Sequence, residues 1–213
     1  MRLAGTAIRP PYGLLSLLLD YPTAELMQAR PAITDAVSQL PNSPDRKRLL
    51  RFVSFYDGAA VLDLQRHYVE TFDLQRGTSL YLTYYTHGET RKRGLALLRL
   101  KRLYAACGLY LLDRELPDYL PLMLAFAESV DQARARQVLA EHVCALELLR
   151  SELERAGSPY ADLVKVSCSG LPRLGLADLE TVAALARQGP TVETVGIQPF
   201  APSVITPVRG VRI

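Results

Sequence analysis

The chain has 213 residues, with 25 Lys and Arg against 22 Asp and Glu, a formal net charge of +3 and 49% apolar side chains. That apolar share excludes wholesale disorder, and the length suits one substantial core. Charges of both signs interleave along the chain, which argues against a dedicated nucleic-acid binder with its charge gathered on one face.

Nearly every segment with a clear period reads as helix. Pro11 to Leu19 forms a short apolar helix that Asp20-Tyr21-Pro22 stops, and Thr23 caps the next one. Pro31 suits a first helical turn and allows a break there. Pro41-Asn42-Ser43-Pro44 is a turn, after which Asp45 starts a helix with Leu49, Phe52, Val53 and Tyr56 on its apolar face and Gly58 at its end. Val61, Leu64, Tyr68 and Phe72 form a second amphipathic run, and Gly77-Thr78-Ser79 punctuates the chain before Leu80 to Tyr85. Glu89 opens a long helix through Leu95, Leu98, Leu103 and Cys107 to Gly108. Pro117 and Asp118 begin the following helix, with Asp118 as N-cap and Pro121 in its first turn.

Gln132 to Ala156 reads as one regular helix, with Val138, His142, Val143, Leu146, Leu149 and Leu153 on one face. Arg150 sits at pairing distance from Glu147 and Glu154 on its surface. Ser158-Pro159 caps a helix through Val166, and Ala177 to Arg187 is the last. From Gly189 onward, aliphatic residues alternate with Pro190, Pro199, Pro202 and Pro207. The expected architecture is therefore all-α: a single helical bundle over residues 1–188, and an extended Pro/Gly-interrupted tail over 189–213. The tail's apolar side chains are costly to leave wet, so it is expected to fold back on the body.

Cys107, Cys144 and Cys168 are scattered and odd in number, which suits buried thiols in a reducing compartment better than a disulfide framework. No CxxC occurs, and His142 and Cys144 diverge by about 200° on a helix, so no metal site is expected. Near the N-terminus, Pro10-Pro11 interrupts the basic and apolar pattern of a signal peptide. Nothing approaches the roughly 20 apolar residues of a membrane span. A cytoplasmic protein without stable membrane association is expected.

Three segments carry polar and aromatic residues that packing alone does not require. In Tyr68-Val69-Glu70-Thr71-Phe72-Asp73-Leu74, Tyr68 and Phe72 share a helical face, and Glu70 and Asp73 supply acid. The plain reading is a helix end with two solvated acids; the functional one is an aromatic floor with an acidic rim that attracts a basic peptide. Tyr84, Tyr85, His87 and Glu89 stand at a His-Gly corner with no Ser or Cys nucleophile at a telling spacing, so contacts at a helix junction are expected there. Asp118, an exposed Tyr119, Pro121 and Leu122 stiffen a helix entry, either as a helix start alone or as one wall of a groove. Arg91, Lys92, Arg93, Arg99, Lys101 and Arg102 form the nearest thing to a basic face: a solvated helix surface, or a site for an acidic partner or phosphate.

These segments, in this order, resemble the respiratory nitrate reductase assembly chaperones, the delta-subunit or NarJ-type proteins of the wider molybdoenzyme redox-chaperone family. The resemblance rests on Tyr68 to Leu74, Thr78-Ser79-Leu80, His87-Gly88-Glu89-Thr90-Arg91 with Arg93-Gly94, and Arg114-Glu115-Leu116-Pro117-Asp118 with Leu120-Pro121-Leu122. Leu18-Leu19-Asp20-Tyr21-Pro22 is similar to its N-terminal signature. The similarity runs from Leu15 to Phe126, is weaker to Val166 and is absent in the tail. Tyr119 stands where the family often has His, Thr71 where it has Leu, and Ala125 near a usual acid, so no His-dependent property is carried to position 119.

What the resemblance implies is an all-helical chaperone and not an enzyme. It binds the N-terminus of the catalytic, molybdenum-containing subunit of respiratory nitrate reductase and assists insertion of the molybdenum cofactor. Its further partners are cofactor-delivery proteins, and no nucleic acid, cofactor of its own or catalytic residue is implied. The client peptide is expected at Tyr68, Glu70, Phe72, Asp73, Tyr84, His87, Glu89, Asp118, Tyr119, Pro121 and Leu122. The competing reading is a helical enzyme or binder acting on a phosphate-bearing ligand or nucleic acid through the basic face from Arg91 to Arg102.

Overall fold

A computed structural model describes residues 9–111 and 115–188; the tail over 189–213 and the expectation that it folds back lie outside them. Among the described residues the chain forms twelve α-helices and no strand. They are α1 (Tyr12–Leu19), α2 (Ala24–Gln28), α3 (Arg30–Gln39), α4 (Pro44–Gly58), α5 (Val61–Tyr68) and α6 (Leu82–His87). There follow α7 (Arg91–Ala106), α8 (Leu120–Ser129), α9 (Gln132–Ala140), α10 (Val143–Arg155), α11 (Tyr160–Ser167) and α12 (Leu176–Gln188).

Local chemistry starts several of these helices where the sequence places them. The Thr23 hydroxyl accepts from the Leu26 N–H at 3.3 Å, and the Ser43 hydroxyl accepts from the Arg46 N–H at 3.1 Å. The Asp131 carboxylate takes the Arg134 N–H at 3.0 Å. Each such cap satisfies an amide the helix cannot, and contributes about 1 kcal/mol. Gly88, at φ 54°, ends α6 in a conformation other residues avoid, with its N–H donating to the Tyr84 carbonyl at 2.8 Å.

The core forms where the apolar helices stack. On α1, Tyr12, Leu15, Leu18 and Leu19 are buried against α8 and α11. On α8, the buried residues include Leu120, Met123, Leu124 and Phe126. Helix α11 packs against α1, α4 and α10. Its Tyr160 is the hub of an aromatic cluster, with ring centroids 5.1 Å from Phe52, 4.8 Å from Phe72, 6.0 Å from Tyr68 and 5.8 Å from His67. Large rings meeting edge to face contribute packing beyond the area they bury.

Three local expectations are corrected, and one helix divides its apolar residues in a way the sequence left open. The run from Val61 to Phe72 is not uniform: it widens into a π-helical turn at Val69–Asp73, closed by the Leu74 N–H on the Val69 carbonyl at 3.1 Å. The helix expected from Gln132 to Ala156 breaks at His142 (φ −112°, ψ 16°), because α9 packs on α8 while α10 turns to meet α6, α11 and α12. On α7 the buried side chains are Leu100 and Tyr104, while Leu95 is 69% exposed and Leu98 is exposed as well. Asp118 is not an N-cap. Its carboxylate is drawn into the interior by partners on α6 and α7, and α8 begins at Leu120 without a side-chain cap.

Candidate functional site: an aromatic groove with an acidic rim

Two loop segments build the site by pairing across the sequence. The Leu82 N–H donates to the Asp118 carbonyl at 3.0 Å, and the Leu120 N–H donates to the Leu80 carbonyl at 2.8 Å. This isolated antiparallel pairing of Tyr81 with Tyr119 ties the entry of α6 to the entry of α8. It brings the two rings to a centroid distance of 5.3 Å.

Tyr119 then reaches across to the π-helical turn. Its hydroxyl lies 2.8 Å from that of Tyr68 and donates to Asp20 Oδ1 at 3.1 Å. Tyr21 meets the Tyr68 ring edge-on at 5.4 Å, and the Tyr81 hydroxyl donates to Glu115 at 2.9 Å. The result is a hollow of about 190 Å³ walled by Tyr21, Tyr81, Tyr119 and Leu80, with Tyr68 and Phe72 as its floor. Asp73 and Glu115 stand at its edge, both exposed.

A second hollow of about 360 Å³ adjoins it, with Phe72, Asp73 and Tyr81 lining both. Tyr84, Arg76, Arg93 and the exposed Glu89 complete this part. Arg93 is held from beneath. Its guanidinium lies 3.6 Å from Asp118 Oδ2 and its Nε donates to the Thr83 hydroxyl at 3.3 Å. Asp118, 0% exposed, also accepts from the Thr83 N–H at 3.1 Å and from the Thr83 hydroxyl. So anchored, the Arg93 cation sits 5.9 Å from the Tyr81 ring centroid and 5.8 Å from that of Tyr84. Arg93 therefore serves as a strut, and the charge offered to solvent along the two hollows comes from Asp20, Asp73, Glu89 and Glu115 against the exposed Arg76.

Burial pushes the phenols of Tyr68, Tyr81 and Tyr119 above the ordinary tyrosine range, and nearby Glu115 and Asp20 push Tyr81 and Tyr119 further. They stay protonated at physiological pH and act as donors with apolar faces. Nothing here pairs a nucleophile with a base. Among the described residues no group of three or more His, Cys, Asp and Glu could hold a metal ion.

The structure brings together Tyr68, Phe72, Asp73 and Tyr119 in the first hollow, and Tyr84 and Glu89 in the second. Tyr68 and Phe72 are core residues, 4% and 7% exposed, whose outer edges alone reach the groove. Tyr119 is half-buried, not exposed. Asp118 lies underneath as a support. Glu70 is exposed on the π-helical turn but lines neither hollow, and Leu122 is half-buried on α8 away from both. Pro121 is buried, its carbonyl accepting from the Ser16 hydroxyl at 2.7 Å. His87 faces a different hollow, which shares no lining residue with the first two. The sequence reading omitted Tyr21, Leu80, Tyr81, Arg76 and Glu115, and counted Arg93 with the basic face. Tyr81 and Glu115 join the site through loop pairing alone; the alternation Leu80-Tyr81-Leu82 was the one local sign of extended backbone there.

The chain was compared with known proteins. The model of the family described as nitrate reductase delta subunit matches residues 40–165. A Bacillus subtilis (strain 168) protein, given the probable role of nitrate reductase molybdenum cofactor assembly chaperone, is 36% identical over 167 residues, covering 78% of this chain and 91% of that one. The Escherichia coli (strain K12) nitrate reductase molybdenum cofactor assembly chaperone NarJ is 38% identical over 152 residues, 70% of this chain and 64% of that one. A crystal structure from Archaeoglobus fulgidus, described as a candidate redox enzyme maturation protein, superposes with a TM-score of 0.54 at 20% identity over 78% of this chain and 94% of that one. That last likeness bears on the fold alone. The extent of the family match, together with relatives above 30% identity, places this chain in the nitrate reductase delta subunit family.

Proposed function

We propose that this protein is a dedicated assembly chaperone of a respiratory nitrate reductase. It holds the N-terminal segment of the catalytic subunit while the molybdenum cofactor is inserted, and it acts by binding, not by catalysis. The observation that carries this reading is the pair of adjoining hollows from Tyr119 to Tyr84, aromatic on their walls and bordered by acids, in a chain whose relatives are named as assembly chaperones.

An amphipathic client segment docks with apolar side chains over the Tyr68–Phe72 floor and its basic residues toward Asp73, Glu115 and Glu89. Carboxylates at an exposed rim steer such a peptide and select for guanidinium groups. Burying three or four apolar client side chains yields roughly 5–10 kcal/mol gross. Ordering the peptide offsets about 2–5 kcal/mol of that, and association costs more. The balance suits a complex that holds and then releases. The work is done in the cytoplasm, before the client meets its membrane partner; no helix among the described residues is long and apolar enough to cross a membrane.

Calorimetry with a synthetic peptide of the client N-terminus tests this. The expected result is saturable binding that weakens with salt. No binding to the folded protein across a range of pH would refute the reading.

A further inference from the structure

Thr86 and His87 of α6 face a hollow of another character, basic where the groove is acidic. It opens between α7 and α9 and has a volume of about 770 Å³, within the range of roughly 300–1,000 Å³ that small-molecule sites occupy. Its floor is apolar, formed by Leu100, Leu103 and Val138. Arg99 and Arg102 line it from α7 and Arg134 from α9; among the described lining residues Glu141 is the one carboxylate, and Asp131 lies beside Arg134. His87 and His142 close one end.

These cations are not consumed by the fold. Arg99 pairs with Glu141 at 3.3 Å, but their side chains are 77% and 41% exposed, so water screens the pair and an anion could displace the carboxylate. Arg134 contacts the Cys107 sulfur at 3.1 Å, a weak acceptor for a guanidinium. Arg102 is exposed at the rim. His142 is kept neutral by burial, its pKa lowered below the ordinary 6.5, so that end offers a hydrogen-bonding imidazole without added charge. The hollow therefore combines an apolar base with guanidinium groups on two helices.

Arginine suits phosphate better than a carboxylated peptide would need. Its planar fork takes two phosphate oxygens at once and sheds water readily. We infer that the α7–α9 hollow is a binding site for a small phosphate-bearing organic anion, its phosphate held between Arg102 and Arg134 and its planar body lying on the Leu100–Leu103–Val138 floor. The hollow shares no lining residue with the peptide groove, so a ligand here leaves the groove's own residues free.

Flavin mononucleotide serves as a fluorescent planar phosphate probe on the full chain, with riboflavin as the same ring lacking phosphate. Saturable binding of flavin mononucleotide is expected below about 1 mM, with riboflavin at least tenfold weaker. Pyrophosphate displaces the probe. Arg102→Gln with Arg134→Gln weakens it at least about tenfold, while Arg173→Gln, an exposed arginine outside the hollow, leaves it unchanged. Both arginines of the site are exposed, so the variants keep their circular dichroism spectrum and their binding of the client peptide. The inference is overturned if the probe does not bind, if riboflavin binds equally, if pyrophosphate does not compete, or if the double variant binds as the parent does. It is equally overturned if a single-stranded oligonucleotide binds this face while the small probe does not.

Discussion

The hydroxyls of Tyr68 and Tyr119 lie 2.8 Å apart, joining the end of α5 to the entry of α8 across 51 positions of sequence. Tyr119 passes the connection on to Asp20, and Tyr68 also reaches the Leu19 carbonyl at 3.3 Å. Three segments far apart in the chain are thereby fastened at one edge of the groove.

Tyr119→Phe removes the hydroxyl and keeps the ring. The Tyr68 hydroxyl retains the Leu19 carbonyl, so the loss of stability should be about 1 kcal/mol. Urea unfolding measures it, and calorimetry should show client-peptide affinity reduced several-fold as the first hollow loosens. Tyr119→Ala, which also removes the wall facing Tyr81, should lose more of both.

Asp118→Ala should be the most damaging change at the site although no client touches the residue. It leaves the Thr83 amide and the Arg93 guanidinium without their buried acceptor, and breaking such a pair costs about 3–5 kcal/mol. Urea denaturation should show a lower midpoint with an unchanged slope. A loss smaller than about 1 kcal/mol would mean that Arg93 finds another partner and is not a strut.

Asp73→Lys and Glu115→Lys should separate binding from folding. Both side chains are exposed, and Glu115 alone gives up hydrogen bonds, from the Tyr81 hydroxyl and the Leu116 N–H, so the loss of stability should stay within about 1 kcal/mol. Binding of a basic client peptide should fall at least tenfold at low salt, and the difference should shrink as ionic strength rises. Glu147→Ala, on the ion-paired surface of α10, should leave peptide affinity unchanged.

Stability should fall as the pH is lowered through the histidine range. Burial lowers the pKa values of His142 and His67 below the ordinary 6.5. The unfolded chain therefore binds protons that the native state refuses, and stability present above pH 6.5 is lost progressively below it, levelling off beneath the folded-state values. Denaturation midpoints between pH 7.5 and 5 (about the unperturbed titration range) should decline. His142→Gln should flatten part of that decline, and an unchanged profile would show that its ring is not shielded.

Helix starts and stops were legible because they depend on neighbours in sequence. Thr23 caps with its own side chain as read, and Pro31 and Pro121 take first turns, whereas the caps at Ser43 and Asp131 went unread and those expected at Asp118 and Ser158 are not made. The expected apolar face of α4 is buried in full. The π-helical turn at Val69–Asp73 and the break at His142 were not legible, since a continuous amphipathic pattern admits a uniform helix equally well. Tertiary packing, which the pattern does not encode, selects the bend.

The sequence by itself determined that this chain is all-α, where most of its helices start, and that aromatic and acidic residues cluster in its central segments. Local periodicity and capping act over a few residues, so they can be read without knowing the fold. Only the tertiary structure decided how those residues divide. The pairing of Leu80–Leu82 with Asp118–Leu120 draws Tyr81 and Tyr119 together, and Asp118 is committed inward by Thr83 and Arg93. The orientation of α6 sends Tyr84 to the acidic groove and His87 to the basic hollow. Burial drives that sorting: the net cost of leaving a large ring wet or a carboxylate unpaired depends on partners from distant parts of the chain.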